Sequence, residues 1–354
     1  MPNPLKLASL WRIISDVDLE GPRRAARAKF TISIVAESAA DAEAVRRLLT
    51  GAGAAAHPWV ETGAPRPGEP LTPELLAGLA GTPLVGIMVT RSQDLSPALK
   101  MAGNRFATAA APVLTVVIGH TSGGAKIIRP GERARVAVET IDDAGAVEAV
   151  ATALSGIVSD DQQVALAAHL PPLRSVLSAR LIDRTARANA SFALTTGLAE
   201  TIPVLTAPLN LGDMVVLTKN QLMMCYRLAL MAGRDDEPRA MMGEIIGVLG
   251  SGVLFRQIAR QLVGLIPVAG LLPKVAIAYA GTYAIGRAMV AWTTEGRQIT
   301  VDTVSTYTRE GLVRGRALAE HLVDEAGATG GRVARRFERF RRFLPGKRRS
   351  TSDV

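Results

Sequence analysis

Polar side chains are scarce in the most apolar part of the chain, and those present there are the first candidates for chemistry. Amide, hydroxyl and carboxylate groups between apolar helices need hydrogen-bond partners, so we expect them to form a polar seam. The candidates are Asp213, Asn220, Gln221, Glu244, Tyr279 and Thr282. Asp213 also stands where it would cap a helix that begins at Met214, which is the commoner role for an aspartate at that place. Gln221 and Tyr279 are equally explained as hydrogen-bonded core residues.

The last 23 residues form a second candidate site, which we call the basic tail (residues 332–354). The tail holds nine Lys or Arg and two acidic residues, so it carries +7 of the formal net charge of +9. Apolar residues recur within it at helical spacing: Val333, Phe337, Phe340 and Leu344. A basic helix with an aromatic edge is typical of segments that bind anionic membrane surfaces. The candidate lipid-binding residues are Arg332, Arg335, Arg336, Phe337, Arg339, Phe340 and Arg342. A solvated end and sequence-independent binding of nucleic acid are the alternatives.

The sequence after the first predicted strand lacks the residues that bind a nucleotide phosphate. A phosphate loop needs glycines and a lysine after the first strand, whereas residues 36–41 read Ala-Glu-Ser-Ala-Ala-Asp. The single cysteine, Cys225, and four dispersed histidines exclude a disulfide framework and predict no metal site. We therefore expect no catalytic residues, no cofactor and no enzymatic activity. A divergent nucleotide hydrolase is the alternative from the enzyme class.

The first half of the sequence contains continuous apolar runs of strand length, separated by helical patterns. The predicted strands are Phe30–Val35, Leu84–Val89, Val113–Ile118 and, more weakly, Arg135–Thr140. Strands that are apolar on both faces are typical of a parallel sheet covered by helices on both sides. We predict an α/β, doubly wound, GTPase-like domain without a phosphate loop over residues 30–160, preceded by an N-terminal segment, residues 1–29.

The second half is dominated by apolar helices that are rich in small residues, and we predict an all-α helical-hairpin domain over residues 161–330. Small residues at four-residue spacing let helix backbones approach closely, as they do in lipid. The predicted packing residues are Gly243, Gly247, Ser251, Ala276, Ala280 and Ala284. Pro267 and Gly270 would form the turn of a hairpin. The longest uncharged piece, residues 261–273, is short for a simple span. Paired transmembrane helices and a buried hairpin in a soluble bundle are the two interpretations.

Residues spread over positions 165–310 resemble an uncharacterised bacterial domain. The residues that carry the resemblance are Ile182, Thr185-Ala186, Ala188-Asn189-Ala190, Pro208, Gly212-Asp213, Asn220-Gln221, Ala229–Gly233, Ile266-Pro267, Gly270, Ala278-Tyr279, Thr282 and Ile285-Gly286. That domain is often fused behind Era-like GTPase domains and is thought to associate with the inner membrane. The resemblance implies a membrane-linked partner or scaffold, and it brings no reaction with it.

These observations together predict a non-enzymatic, membrane-associated scaffold or partner protein. The chain is 48% hydrophobic and 21% charged, too apolar for a disordered protein. We expect it at the cytoplasmic side of the inner membrane, either attached to the membrane or integral to it. The predicted partners are the inner membrane or an anionic lipid, a protein such as a GTPase, and a second copy of the chain. Nucleic acid is not favoured, because the chain outside the basic tail carries only +2.

Overall fold

The first of two layers in the molecule is a parallel five-stranded sheet together with the helices that cover it. The structure, a computed structural model, describes residues 18–51, 57–65, 69–79, 81–120, 134–141, 144–199, 209–250 and 271–329. The strands are β1 (Ile32–Ala36), β2 (Val60–Gly63), β3 (Val85–Thr90), β4 (Val113–Ile118) and β5 (Ala134–Val138). Their order in the sheet is β2-β1-β3-β4-β5, and every neighbouring pair is parallel. This is one of the two common strand orders of doubly wound folds.

Helices cover both faces of this sheet. The helices of the first layer are α1 (Glu20–Arg27), α2 (Ala39–Thr50), α3 (Pro73–Ala77), α4 (Pro97–Thr108), α5 (Ala144–Ile157) and α6 (Asp160–His169). One face of the sheet packs against α2 and α5, and the other packs against α3 and α4. Because both faces are covered, β1, β3 and β4 are buried along their whole length.

Local sequence features fix where these helices begin. The hydroxyls of Thr72 and Ser96 accept backbone N–H bonds at the starts of α3 and α4, and Ser159 forms a capping box at the start of α6. Gly86 in β3 is required by packing, since a Cβ there would lie 2.3 Å from the ring of Phe106. The ring of Phe106 thus takes the place of a side chain on the sheet.

A second layer of helices continues the same hydrophobic core. Its helices are α7 (Pro171–Ala199), α8 (Leu209–Met231), α9 (Pro238–Gly250), α10 (Leu271–Thr293) and α11 (Val301–Thr329). Helix α7 is 29 residues long and packs against α2 and α5 as well as against α8 and α10. Helix α10 packs against α7, α8 and α11, while α9 packs against α8. One cluster of buried side chains therefore extends from the sheet into the helices.

The α/β fold, with a parallel sheet flanked by helices, is confirmed, but one strand was missed and one local prediction is wrong. Strand β2 was not predicted, because the Pro/Gly-rich sequence around it hides a strand of only four residues. Asp213 cannot be the N-cap of a helix that begins at Met214, since α8 already begins at Leu209. The GTPase-like character, the limits of the two domains and the hairpin interpretation stay predictions, and Pro267 and Gly270 lie outside the described residues.

The expectation of a transmembrane helix is also wrong. Within the described ranges, no helix combines the length and the hydropathy needed to cross a membrane. Helix α10 is the longest apolar helix with few charges, and it illustrates the physical reason. It carries Lys274 and Arg287, and the polar residues Tyr279 and Thr282 lie between them. These polar groups lower its mean hydropathy.

Candidate functional site

The carboxyl ends of β1 and β3 mark the place where a doubly wound sheet usually binds its ligand. Helix α2 follows β1 on one face of the sheet, and α4 follows β3 on the other, so the chain connections diverge here. Asp41, in the first turn of α2, lies at this place, and both of its carboxylate oxygens accept hydrogen bonds from Arg91. The distances are 2.6 Å to Nη2 and 2.9 Å to Nε. An ion pair therefore occupies the ligand position.

The electrostatics of this position are unfavourable for a phosphate. Glu37 adds a second carboxylate beside β3, and its Oε2 accepts from the Thr90 hydroxyl at 3.4 Å. The hydrogen bond to Asp41 raises the pKa of the Arg91 guanidinium above its ordinary value. Arg91 is thus already used by a carboxylate, and the N-terminus of α2 faces two acids where a phosphate site would present glycine N–H groups. Among the described residues, no group of His, Cys, Asp and Glu side chains could hold a metal ion.

Three of the six predicted seam residues meet in one buried network. Thr282 on α10 is fully buried, and its Oγ1 accepts from Gln221 Nε2 at 3.1 Å and from Asn189 Nδ2 at 2.9 Å. Asn220 Nδ2 donates to Asn189 Oδ1 at 2.8 Å. The Thr282 hydroxyl in turn donates to the carbonyl of Ala278 at 2.9 Å. These bonds join α7, α8 and α10 at one level of the helices.

Asn189 is the centre of this network, and the seam prediction missed it. It lies in an Ala-Asn-Ala sequence on α7 and has no accessible surface. The sequence did contain a signal for Asn189, namely a single amide between two alanines. An asparagine enclosed by small apolar residues needs buried hydrogen-bond partners. The hydroxyl of Thr282 accepts two bonds and donates one, so its hydrogen-bonding capacity is filled. The network therefore suits helix positioning better than ligand binding.

Tyr279 lies on α10 close to this network but bonds to a different partner. Its hydroxyl donates to Asp183 Oδ1 at 2.5 Å, and Asp183 Oδ2 accepts from Arg187 Nε at 2.6 Å. Burial, followed by the hydrogen bond to Asp183, raises the pKa of the Tyr279 phenol. The Tyr279 ring stacks on Tyr283 with centroids 6.0 Å apart. Tyr279 therefore connects the interior of the helices to charged residues on the exposed side of α7.

Glu244 does not join the other seam candidates. Its side chain is 45% exposed, and its Oε2 lies 2.6 Å from Nη2 of Arg234. The same guanidinium lies 5.5 Å from the ring centre of Trp292 and bonds to Asp236. Glu244 thus helps to tie the loop after α8 to α9 and α10. The side chain of Asp213 lies outside those that the structure describes.

Two of the predicted packing residues, Ala276 and Ala280, lie at a close contact between α10 and α11. Ala276 and Ala280 on α10 face Gly311 and Gly315 on α11, where an added Cβ would lie 2.8 to 2.9 Å from α10 backbone atoms. Ala284 is fully buried and Gly243 is partly buried. Gly247 is described in its backbone alone, and Ser251 and the whole basic tail lie outside the described residues.

Two polar places remain as candidates: the closed position beside Asp41 and the charged side of α7 around Asp183. Neither contains a nucleophile held by a general base. No protein-family model, curated protein or solved structure matches the chain.

Proposed function

We propose that this protein is a non-enzymatic scaffold or partner protein whose GTPase-like α/β layer does not bind nucleotide. The observation that supports the proposal is the Asp41–Arg91 ion pair at the ligand position of the sheet. An incoming phosphate would have to displace a bidentate carboxylate from Arg91 and lie against Glu37 and Asp41. The hydrophobic core is continuous between the two layers, which favours a rigid scaffold over an enzyme whose domains move during catalysis.

Nucleotide titration tests this proposal against the alternative of a divergent hydrolase. The full chain is mixed with fluorescent GTP and ATP analogues in the presence of Mg²⁺, and hydrolysis is followed by phosphate release. We expect no saturable nucleotide binding below about 1 mM, a Kd that corresponds to about 4 kcal/mol of binding free energy. We also expect no phosphate release above the rate in buffer alone. Saturable binding at micromolar concentration would contradict the proposal, and phosphate release above the buffer rate as well would support the hydrolase alternative.

We further propose peripheral attachment to an anionic membrane surface through the basic tail. The support is the concentration of +7 in 23 residues, together with the helical spacing of its apolar residues. A protein such as a GTPase would be the partner held there, as the resemblance suggests. This attachment needs no membrane-crossing helix.

Vesicle flotation at low and high salt tests the attachment. The full chain is compared with R335Q/R336Q/R339Q/R342Q and with a control, R309Q/R316Q, which removes two arginines from α11 in place of four from the tail. Each Lys or Arg near an anionic surface contributes about 1 kcal/mol, so the tail variant should lose binding to phosphatidylglycerol vesicles while the control keeps it. Equal binding to neutral phosphatidylcholine vesicles would contradict the proposal. Loss of duplex-DNA binding in place of vesicle binding would support the nucleic-acid alternative.

A further inference from the structure

A polar cleft with a volume of about 580 Å³ opens between α5, α6 and α7. Its size lies within the range of about 300–1,000 Å³ usual for small-molecule sites. Its polar lining includes Glu148 and Ser155 of α5, Gln163 of α6 and, along α7, Arg180, Asp183, Arg184 and Arg187. We propose that this cleft binds the phosphate group of a small molecule that also carries hydroxyl groups.

Three arginines on one side of α7 make the cleft suitable for an anion. Arg180, Arg184 and Arg187 are spaced by four and three residues and therefore lie on one helix face. Arg187 bonds to Asp183 through Nε, and Arg184 bonds to Asp160 through Nη1. Arg180 is exposed and forms no ion pair with any residue that the structure describes. Free N–H groups of all three guanidinium groups thus remain for a phosphate, which Arg binds with two parallel hydrogen bonds.

The arginines of the cleft outnumber its carboxylates by three to two, and Arg180 is the one that no described carboxylate pairs. Asp183 is satisfied on both oxygens, by Tyr279 Oη at 2.5 Å and by Arg187 Nε at 2.6 Å. Its role is to hold Arg187, because the buried tyrosine fixes the carboxylate from the other side. Glu148 lies on α5, and its exposed carboxylate can accept hydrogen bonds from ligand hydroxyls. Hydroxyl groups on the ligand would offset the repulsion between Glu148 and the phosphate, so we expect a hydroxylated phosphate ester.

The neutral wall of the cleft is already held in place. Gln163 on α6 is nearly fully buried, and its Nε2 donates to the carbonyls of Ser155 at 3.0 Å and Val158 at 3.4 Å. These bonds fix the end of α5 against α6. Ser155 uses its hydroxyl hydrogen on the carbonyl of Thr152, so its oxygen remains an acceptor. A wall held by such bonds loses little conformational freedom when a ligand enters.

One phosphate chemistry can reach this cleft from two sources, a free phosphate ester or a phospholipid headgroup. Glycerol 3-phosphate and phosphatidylglycerol vesicles present the same phosphoglycerol group in the two forms. Calorimetric titration of the full chain with glycerol 3-phosphate tests the first source, with glycerol as the control that lacks phosphate. Flotation with phosphatidylglycerol vesicles tests the second, in the R335Q/R336Q/R339Q/R342Q background so that the basic tail does not supply the binding.

Each assay compares Arg180→Gln with Arg316→Gln, a matched exposed arginine on α11 outside the cleft. A charged hydrogen bond contributes about 1.5–3 kcal/mol, so R180Q should weaken binding about tenfold or more while R316Q leaves it unchanged. Ala179→Phe, which fills the cleft from α7, should weaken binding without changing any charge.

The outcomes separate the sources and decide the proposal. Saturable binding of glycerol 3-phosphate that falls in R180Q and A179F identifies a free phosphate ester, and the same losses seen only with vesicles identify a lipid headgroup. Equal binding by R180Q and R316Q would overturn the site. So would no binding of either probe when its phosphate groups are present at 10 mM, about tenfold above a Kd of 1 mM. The cleft involves neither Asp41 nor the basic tail, so its failure would leave the proposed function standing.

Discussion

Asn189 is the residue on which the contact between α7, α8 and α10 depends. Its amide is fully buried, donates to Thr282 and accepts from Asn220. Asn189→Ala would leave the Asn220 amide without its acceptor and would remove a donor from Thr282. Leaving buried polar groups unsatisfied costs about 1–3 kcal/mol. We expect the free energy of unfolding, measured in urea, to fall by that amount.

The control for Asn189 is Asn104, an exposed asparagine in α4. Asn104→Ala removes the same amide from a helix surface, where it should change the free energy of unfolding by less than about 0.5 kcal/mol. If Asn189→Ala were as mild as Asn104→Ala, the buried network would contribute nothing to stability.

A pair of histidines gives the protein a pH-dependent stability. His169 contacts Trp59, with ring centroids 3.7 Å apart, and its Nε2 lies 2.8 Å from the carbonyl oxygen of Ala26. His57 Nδ1 lies 3.4 Å from the backbone nitrogen of Trp59. Burial lowers the pKa of both imidazoles, and for His57 the nearby Arg46 lowers it further. The lowered pKa values favour the neutral form of both histidines in the folded protein.

The sign of the pH effect follows from these lowered pKa values. Below about pH 6.5 the unfolded chain takes up protons on these histidines that the folded chain does not, so stability falls as the pH decreases. We expect the urea midpoint to be level above about pH 7 and to fall between pH 6.5 and pH 5. The double variant His57→Asn/His169→Gln keeps hydrogen-bonding groups at both places and should flatten this decrease. An unchanged decrease in the double variant would assign the pH dependence to other groups.

At the scale of elements, α10 and α11 approach so closely that glycines of α11 lie against backbone atoms of α10. A Cβ on Gly315 would lie 2.8 Å from the carbonyl oxygen of Ala276, which is a backbone atom and cannot rotate away. Gly315→Ala gains about 1 kcal/mol of helix propensity, but overpacking costs about 1–3 kcal/mol. We expect net destabilisation in urea unfolding, in contrast to the usual effect of Gly→Ala in a helix.

Gly78 provides the matched glycine for this comparison. It follows α3 with φ of −73°, and a Cβ there would meet the nearest atom, the carbonyl oxygen of Leu75, at an ordinary 3.5 Å. Gly78→Ala should leave stability unchanged or raise it slightly. A Gly315→Ala variant that is as stable as Gly78→Ala would show that α11 can move away from α10 without cost.

Local sequence patterns could predict some of these elements and not others. The runs at residues 84–89 and 113–118 are apolar at nearly every position, and they became central strands within one residue of the prediction. Strand β2 reads Val-Glu-Thr-Gly, with burial at its two ends only, so its pattern is too short to recognise. Continuous apolar runs can be recognised as strands from the sequence alone, whereas a short edge strand forms because of the neighbouring strand with which it pairs.

The candidate sites show the same limit. Spacing indicated that Asn220, Gln221 and Thr282 would seek polar partners, but it could not reveal that Tyr279 bonds to Asp183 and Glu244 to Arg234. Those partners are set by how α7 and α9 pack. The glycines opposite Ala280 and Ala276 lie 31 and 39 residues further along the chain. Such pairings are tertiary, and one sequence alone does not encode them in its periodicity.

At the scale of the whole molecule, α7 belongs to both layers. Leu177 on this helix is fully buried in the same core that contains Ile34 of the sheet and Tyr226 of α8. Few polar groups separate the layers, so opening one layer would expose apolar surface of the other. Exposed apolar surface costs about 25 cal/mol per Å². We therefore infer that the sheet and the helices unfold together, whatever domain limits the sequence suggests.

Two tryptophans allow this cooperativity to be measured, since Trp59 precedes β2 and Trp292 ends α10 beneath Arg234. The variants W11F/W292F and W11F/W59F each leave one reporter. In urea, tryptophan fluorescence and far-ultraviolet circular dichroism should give the same midpoint within each variant, because a two-state transition makes all probes coincide. Adding Leu177→Ala should lower the free energy of unfolding that both probes report by about 2–5 kcal/mol. Val313→Ala, at a side chain that is 70% exposed, should leave it unchanged. A Trp59 transition separate from the circular dichroism transition would mean that the sheet is an independent folding unit.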